Sequence, residues 1–435
     1  MPAEDVFRAP FPSAVRWDFR AQNTFFVCCV LFLGIELYYF LLLYRLYFAG
    51  LIGILAYLAY VSRSSGYRVA YTYPVILVAC YGYLLLSTLW SPLESVGLYK
   101  ISVESVYFLF ALIPTLERVC GSDLKFRMLQ SGSLAFCMAA IAAYVTVGNV
   151  VDPAKPSIRT LIGAAFLASI PAHVYLVSRR KSLLSFAALV AIGAIALGLE
   201  NRTLLLFGPP VFLAAVFIAV RERLSDGRRF RQTLGIAIIV VPLLALLAGE
   251  LYFSGVYSRL RTDTSLNVSR EVLQEQFSEH SAGDLERRIY TFVSIGMFVD
   301  HPVWGAGYGS SPYYVHRVSQ FTTVAHGLPF MLLAETGVIG TALFSIAIFW
   351  SFRGYAQKLR VTDDRDGKLR VRMELLSLCA LLLVGLSHQI YDDIYFYMFL
   401  GTGLFYRFHF VSPRPVRVVN LDRDDPRARL AVSGL

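Results

Sequence analysis

Long apolar runs separated by short polar segments repeat along most of this chain of 435 residues. A helix that crosses the hydrocarbon core of a membrane needs about 20 predominantly apolar residues. The pattern therefore predicts an all-α polytopic membrane protein with about 12 transmembrane helices. Only Arg45 separates the first two apolar runs and only residues 391–393 separate the last two, so either pair could instead form one irregular element. The predicted spans cover approximately 24–43, 46–61, 70–90, 95–115, 128–148, 160–178, 183–199, 203–220, 233–253, 327–350, 374–391 and 393–409.

One long polar segment interrupts this pattern between the ninth and tenth predicted spans. Loops this long in compact proteins are usually functional or disordered. The segment contains helix-like stretches at 269–277 and 284–302 and many aromatic residues, which favours an ordered domain. The predicted parts of the chain are residues 1–253 with nine spans, a loop domain at 254–326, residues 327–409 with three spans, and a tail at 410–435.

The composition excludes a soluble globular protein. Hydrophobic residues make up 56% of the chain and charged residues only 16%, whereas about 25% of an average soluble domain is charged. The net charge of +10 comes from basic residues between the apolar runs, so it indicates membrane orientation rather than a nucleic-acid partner. If the N-terminus is cytoplasmic, 29 of the 40 Lys and Arg residues, Lys125 among them, fall on the cytoplasmic side. The positive-inside rule then predicts two cytoplasmic termini and a loop domain on the opposite face.

Arg202 is the first candidate for chemistry on that opposite face. It follows Glu200 and Asn201 in the turn between the seventh and eighth predicted spans. A guanidinium in this position would sit at the depth of the lipid headgroups. The structural alternative is a snorkelling side chain or a partner for Glu200.

The loop domain contains a second candidate group, the adjacent Arg287 and Arg288 on a predicted helix. Arginine binds phosphate oxygens through two parallel hydrogen bonds, which suits it to a diphosphate. The helix is followed by alternating glycines at 305, 307 and 309, which let a backbone pass close to a ligand or to another segment. This run lacks the strand and helix of a nucleotide-binding motif, and a simple tight turn is the alternative.

Acidic residues and a histidine form the third group. His326 directly precedes the tenth predicted span, and Glu335 lies in the outer third of that span. Ionisable residues inside membrane spans are functional candidates by default. Asp392 and Asp393 occupy the last outer turn, where they could orient an acceptor, pair with an arginine, or simply be solvated.

The order and spacing of these motifs resemble the O-antigen ligase and O-antigen polymerase superfamily. The resemblance covers residues from about 80 to 350 and rests on the succession of motifs rather than on any one of them. The motifs are Ser87-x-x-Trp90-Ser91, an Arg after the seventh span, an Arg followed by His301-Pro302-x-x-Gly305-x-Gly307, and His326 with Glu335, Gly337 and Gly340.

Two positions depart from the family pattern. The family usually has Asn directly after the histidine, where this chain has Gly327. It usually has Trp four residues after the loop arginine, where this chain has Thr291. Counting back fifteen residues from Pro302 favours Arg287 as the family arginine, and a register shift of one residue would favour Arg288.

The resemblance implies an inverting glycosyl transfer without metal or other cofactor, on the periplasmic face of the bacterial inner membrane. The donor would be a glycan linked to undecaprenyl diphosphate, and the acceptor of a ligase would be a hydroxyl of lipid A-core. Arg202 and one of Arg287 or Arg288 would hold the diphosphate, and His326 would be the general base. Further substrate contacts are expected from Glu335, Asp392 and Asp393.

Three other classes of protein are alternatives to a ligase. A polymerase uses the same donor chemistry, but twelve spans with one dominant late loop resemble the ligase branch more closely. A transporter with twelve helices would place ionisable residues near the bilayer midplane, whereas the candidates here cluster at the outer surface. A metal-dependent membrane glycosyltransferase would be expected to have an acidic pair in its first outer loop, where this chain has only Arg45.

Overall fold

The structure, a computed structural model, describes part of the chain. The described residues are 74–108, 111, 114, 125–130, 132–134, 137, 156–180, 182–198, 202–223, 279–318, 327–386 and 394–409. Nearly all of them are helical, and none of them lies in a strand. The predicted all-α class is therefore confirmed for the part of the chain that is described.

Ten α-helices have defined bounds within these ranges. A short 3₁₀ helix, Thr88–Trp90, follows the first of them. The α-helices are α1 (Val75–Ser87), α2 (Glu94–Phe108), α3 (Pro156–Arg180), α4 (Leu183–Gly198), α5 (Arg202–Arg223), α6 (Glu279–Asp300), α7 (Ser311–Val318), α8 (Leu328–Val361), α9 (Arg365–Gly385) and α10 (Ile394–His409).

Most of the observed helices coincide with predicted spans, and α6 and α7 belong to the predicted loop domain. The first, second and ninth predicted spans, the stretch 269–277 and the tail lie outside the described residues. The count of twelve spans and the division into four parts therefore remain predictions.

The eleventh predicted span differs from the helix that contains it. The apolar pattern predicts a span at 374–391, whereas α9 begins at Arg365. The side chain of Asp364 caps the helix by accepting a hydrogen bond from the backbone N–H of Gly367. The apolar run marks only the second half of α9, because the first two turns are charged.

Two helices of the described ranges are long and apolar enough to cross a membrane, Leu204–Glu222 within α5 and the whole of α8. On α5, Leu206, Leu213 and Phe217 recur on one helix face and are exposed. An outward row of large apolar side chains is expected where a helix faces lipid rather than water.

The order of contacts gives the helix directions. Arg179 near the end of α3 pairs with Asp366 at the start of α9, at 3.7 Å. Further along α9, the hydroxyl of Ser377 donates to the carbonyl of Ala168 earlier in α3, at 2.9 Å. These two contacts show that α3 and α9 are antiparallel.

The same reasoning shows that three helix ends lie at one end of the bundle. Helices α3, α4 and α5 pack against each other in sequence through very short connections, so α5 runs parallel to α3 and antiparallel to α9. The start of α5 and the end of α9 therefore lie at one end of the bundle. Gly327, which precedes α8, lies at the same end, because a Cβ on it would be 3.0 Å from the carbonyl oxygen of Leu386.

A buried ionic cluster joins α9, α10 and the segment 125–130. The Lys125 ammonium lies 3.0 Å from a Glu374 carboxylate oxygen, and both side chains are fully buried. Lys125 also donates to the hydroxyl of Thr402, and Tyr406 donates to the second oxygen of Glu374. A buried pair needs such additional hydrogen bonds to offset the cost of desolvation.

Candidate functional site

Helix α8 is broken at Gly337. The backbone there has φ 64° and ψ −164°, a conformation far from helical. That region of backbone space is essentially restricted to glycine. A break in an α-helix leaves N–H groups on one side and carbonyl groups on the other without their usual partners.

The loop that follows α6 supplies those partners. In an unbroken helix the N–H groups of Val338 and Ile339 would donate to the carbonyls of Ala334 and Glu335. Here they donate instead to the carbonyls of Pro302 and Val303, at 2.9 and 3.3 Å. The released carbonyls of Ala334 and Glu335 accept from the N–H groups of Ala306 and Gly307, at 2.9 and 3.0 Å. Two helical hydrogen bonds are thus replaced by four bonds between loop and helix.

Side chains from α1 and its 3₁₀ extension complete this junction. The Tyr83 hydroxyl lies 3.0 Å from the carbonyl of Thr336 and 3.1 Å from that of Trp304. The indole N–H of Trp90 donates to the carbonyl of Gly305 at 3.2 Å. Three segments that are distant in sequence therefore meet at the break.

Glu335 ties the later part of the loop to the same point. Its side chain is fully buried. One carboxylate oxygen accepts from the backbone N–H of Gly309 at 3.0 Å, and the other accepts from the N–H and the hydroxyl of Ser311. Both oxygens are thus engaged within the protein, so Glu335 orders the loop and the start of α7. The expected contact of Glu335 with substrate stays a prediction.

The alternating glycines serve this close packing. Gly305, Gly307 and Gly309 all have positive φ, between 75° and 98°. A Cβ on Gly307 would lie 2.5 Å from the Cα of Ser91, which no real side chain permits. The glycine run is therefore a loop that fits against α8 and the Trp90-Ser91 segment rather than an isolated tight turn.

An open cleft of about 760 Å³ lies beside the junction. Its lining comes from the loop 301–306, the Trp90-Ser91 region and α7. The two indole rings meet edge to face, with their centroids 6.4 Å apart. The side chains that give the cleft its chemistry are Trp90, Asp300, His301, Trp304, Tyr313, Tyr314 and Arg317.

Polar groups in the cleft belong to α6, α7 and the loop between them. The Tyr314 hydroxyl lies 3.4 Å from Nε2 of His301. Burial, helped by Tyr313 and Asp300 and opposed by Arg317, raises the pKa of Tyr314 above its ordinary value. The group is therefore a neutral hydroxyl near neutral pH, able to donate or accept a hydrogen bond.

The structure describes where the backbones of the candidate arginines lie. Arg202 is the first residue of α5, at the end of the bundle that also contains Gly327. Arg287 and Arg288 lie on α6, which packs against α8 and ends at the cleft. Their side chains lie outside the described part of the structure, as do His326, Asp392 and Asp393 as whole residues.

The sequence pattern does not identify several residues of the cleft and of the junction beside it. Asp300, Tyr313 and Arg317 lack a motif, and only their proximity to the His301-Pro302 segment could have drawn attention to them. Tyr83 was hidden in an apolar run. Among the described residues, no group of three His, Cys, Asp or Glu side chains could hold a metal ion.

A comparison with known protein families gives a match to part of the chain. The family model described as O-Antigen ligase matches residues 186–345. No curated protein matches the chain significantly. The matched segment runs from α4 into α8 and includes Arg202, the Arg287-Arg288 pair, the glycine loop and Glu335.

Replacement of Glu335 by Gln should loosen the loop. The amide would present an NH₂ group to backbone donors that now meet an acceptor, and hydrogen bonds to a charged group contribute about 1.5–3 kcal/mol each. We expect Glu335→Gln to lower the thermal unfolding temperature and to speed hydrogen exchange at Gly309 and Ser311. Glu94→Gln, which alters an exposed carboxylate, is the control. Unchanged exchange at both amides would contradict the anchoring role.

Replacement of Gly337 by Ala tests the break itself. A Cβ would overlap the carbonyl oxygen of Val303, and the backbone conformation alone costs a residue other than glycine about 1–3 kcal/mol. We expect Gly337→Ala to reduce thermal stability and folded yield strongly. Gly296→Ala on α6 meets open space and should be neutral or stabilising by up to about 1 kcal/mol. Equal stability of the two variants would show that α8 can straighten.

Proposed function

The chain belongs to the O-antigen ligase superfamily, and from this membership we propose that it transfers a glycan from undecaprenyl diphosphate to a hydroxyl of lipid A-core. The reaction takes place at the periplasmic face of the inner membrane. The observation that carries the proposal is the family match over 186–345, which contains the arginines, His326 and the glycine loop.

The arrangement of helix ends supports this proposal. Arg202 begins α5 at the same end of the bundle as Gly327, the residue after His326. The N-terminus of a helix has free N–H groups and a partial positive charge, and both favour an anion nearby. A cation at that position is electrostatically unfavourable unless an anion offsets it. A diphosphate would be such an anion, and Glu200 is the alternative partner.

The proposed mechanism needs two things: positive charge that stabilises the leaving diphosphate, and a base that removes the proton of the acceptor hydroxyl. The acceptor oxygen attacks the anomeric carbon, the bond from that carbon to the diphosphate oxygen breaks, and the configuration inverts. Negative charge grows on the leaving diphosphate, where Arg202 and one of Arg287 or Arg288 stabilise it. His326 takes the proton of the acceptor hydroxyl, for which an imidazole is suited near neutral pH.

Replacement of His326 tests the base. We expect His326→Ala to keep the fold and donor binding but to lower transfer by roughly 10²- to 10⁴-fold, the usual contribution of a general base. The measurement is transfer of lipid-linked glycan to lipid A-core by purified protein. His316→Ala, which removes an exposed histidine of α7, is the matched control.

Two outcomes of that assay would contradict the mechanism. Near-normal transfer by His326→Ala would leave His326 with a structural role. Inhibition by a chelator with recovery on addition of a divalent ion would show that the reaction needs a metal. A third outcome, transfer to a growing lipid-linked glycan instead of lipid A-core, would leave the mechanism unchanged but identify a polymerase.

The arginines are tested by replacement with lysine. Lysine keeps the charge but lacks the planar pair of donors, so it should rescue a diphosphate clamp only partly. We expect Arg202→Lys and one of Arg287→Lys and Arg288→Lys to fall well below the parent in turnover at saturating donor, because the diphosphate gains charge in the transition state.

The control for these variants is Arg353→Lys, at an exposed position on α8. Transfer is compared at matched membrane levels of each protein. Full activity of all three lysine variants at the candidate positions would show that these arginines are membrane anchors or partners of Glu200 and Glu286, and that the phosphates are bound elsewhere.

A further inference from the structure

We infer that the cleft beside the glycine loop is a saccharide-binding subsite. The inference rests on the proposed function in one respect only, namely that the saccharide belongs to the donor or to the acceptor. The evidence for it is the combination, in one open cleft, of exposed aromatic rings with a carboxylate and a guanidinium that form no hydrogen bond or ion pair with any described side chain.

The aromatic rings are available to a ligand. Trp304 is 57% exposed, Trp90 and Tyr313 are each 38% exposed, and all three line the cleft. Indole and phenol rings combine a large apolar face with a polar edge. The carbon–hydrogen face of a sugar ring can stack on such a surface, while its hydroxyls point away to polar partners.

The polar side chains of the cleft provide those partners. Asp300 and Arg317 line the same cleft but form no ion pair or hydrogen bond with any described side chain. The Arg317 guanidinium instead lies 5.7 Å from the centre of the Tyr313 ring. A carboxylate and a guanidinium with open hydrogen-bonding positions can each bind sugar hydroxyls through strong, charge-assisted bonds.

The charged side chains also argue against a diphosphate or a lipid chain as the occupant of the cleft. A carboxylate at Asp300 repels a diphosphate, whose binding would need positive charge alone. A lipid chain would leave the charges of Asp300 and Arg317 without polar partners in an apolar environment, which is unfavourable. A neutral, hydroxyl-rich ligand fits the whole set of side chains.

Tryptophan emission provides a direct measurement. The chain has four Trp residues, and two of them, Trp90 and Trp304, line the cleft. In the full-length protein with Trp17→Phe and Trp350→Phe, emission then reports on the cleft alone. The probes are the glycan released from its lipid diphosphate by mild acid, and the oligosaccharide of lipid A-core. We expect a saturable shift in emission with at least one probe, and the probe that binds identifies the source as donor or acceptor.

Two variants in this background locate the binding. Trp304→Ala should weaken the affinity about three- to tenfold, the range expected for loss of one aromatic contact. Asp300→Asn should also weaken it, while leaving both reporter rings in place. Phe349→Ala removes an exposed aromatic ring of α8 that does not line the cleft and should bind like the parent.

Several results would overturn the inference. These are no emission shift with either probe, parental affinity in both cleft variants, or emission that is quenched by brominated phospholipid and unaffected by saccharide. Transfer activity is measured on the same preparations. Transfer without saccharide binding would overturn the subsite and leave the proposed function intact, whereas binding without transfer would support the subsite and count against the proposed function.

Discussion

The need to pair backbone groups at the break in α8 is the constraint on which the site depends. Arg353, the first charged residue after the break, is 16 residues from Gly337. That separation corresponds to about 24 Å of helix, close to the thickness of a hydrocarbon core of about 30 Å. If Arg353 marks one boundary of a span, the break lies just inside the other boundary. Unpaired backbone groups are costly there, and only contact with other protein segments makes irregular backbone possible. The loop after α6 provides that contact.

The same hydrogen bonds give the cleft its shape. Because the loop pairs with both sides of the break, residues 302–307 have a fixed position relative to α8. Glu335 then fixes Gly309 and Ser311, and with them the first residues of α7. Glu335 of α8 therefore positions α7, and the loop that pairs with α8 positions the Trp90 indole through the carbonyl of Gly305. Ligand-binding residues on loops are effective only when a rigid scaffold places them in this way.

The apolar pattern was sufficient to predict most helices, because the period and length of an apolar run depend on local sequence alone. The pattern does not predict the start of a helix whose first turns are polar, as at Arg365 in α9. It also does not predict which charged residues are buried. Lys125 was counted as a basic residue of a cytoplasmic connection, yet it is enclosed with Glu374. Glu335 was found as an acid within a span, but its partners Gly309 and Ser311 follow from tertiary contacts. The sequence contains the alternation of glycines without indicating what packs against them.

Helix α6 connects the arginines of the proposed diphosphate site to the proposed saccharide subsite. Arg287 and Arg288 lie thirteen and twelve residues, respectively, before Asp300, which borders the cleft. At 1.5 Å per residue this places the arginine backbones about 18–20 Å from the cleft along one rigid element. A diphosphate and the sugars attached to it demand opposite electrostatics, since the first needs positive charge alone and the second is neutral and accepts both signs. Separation of the arginines from Asp300 along α6 would allow both requirements to be met, whether the saccharide belongs to the donor or to the acceptor.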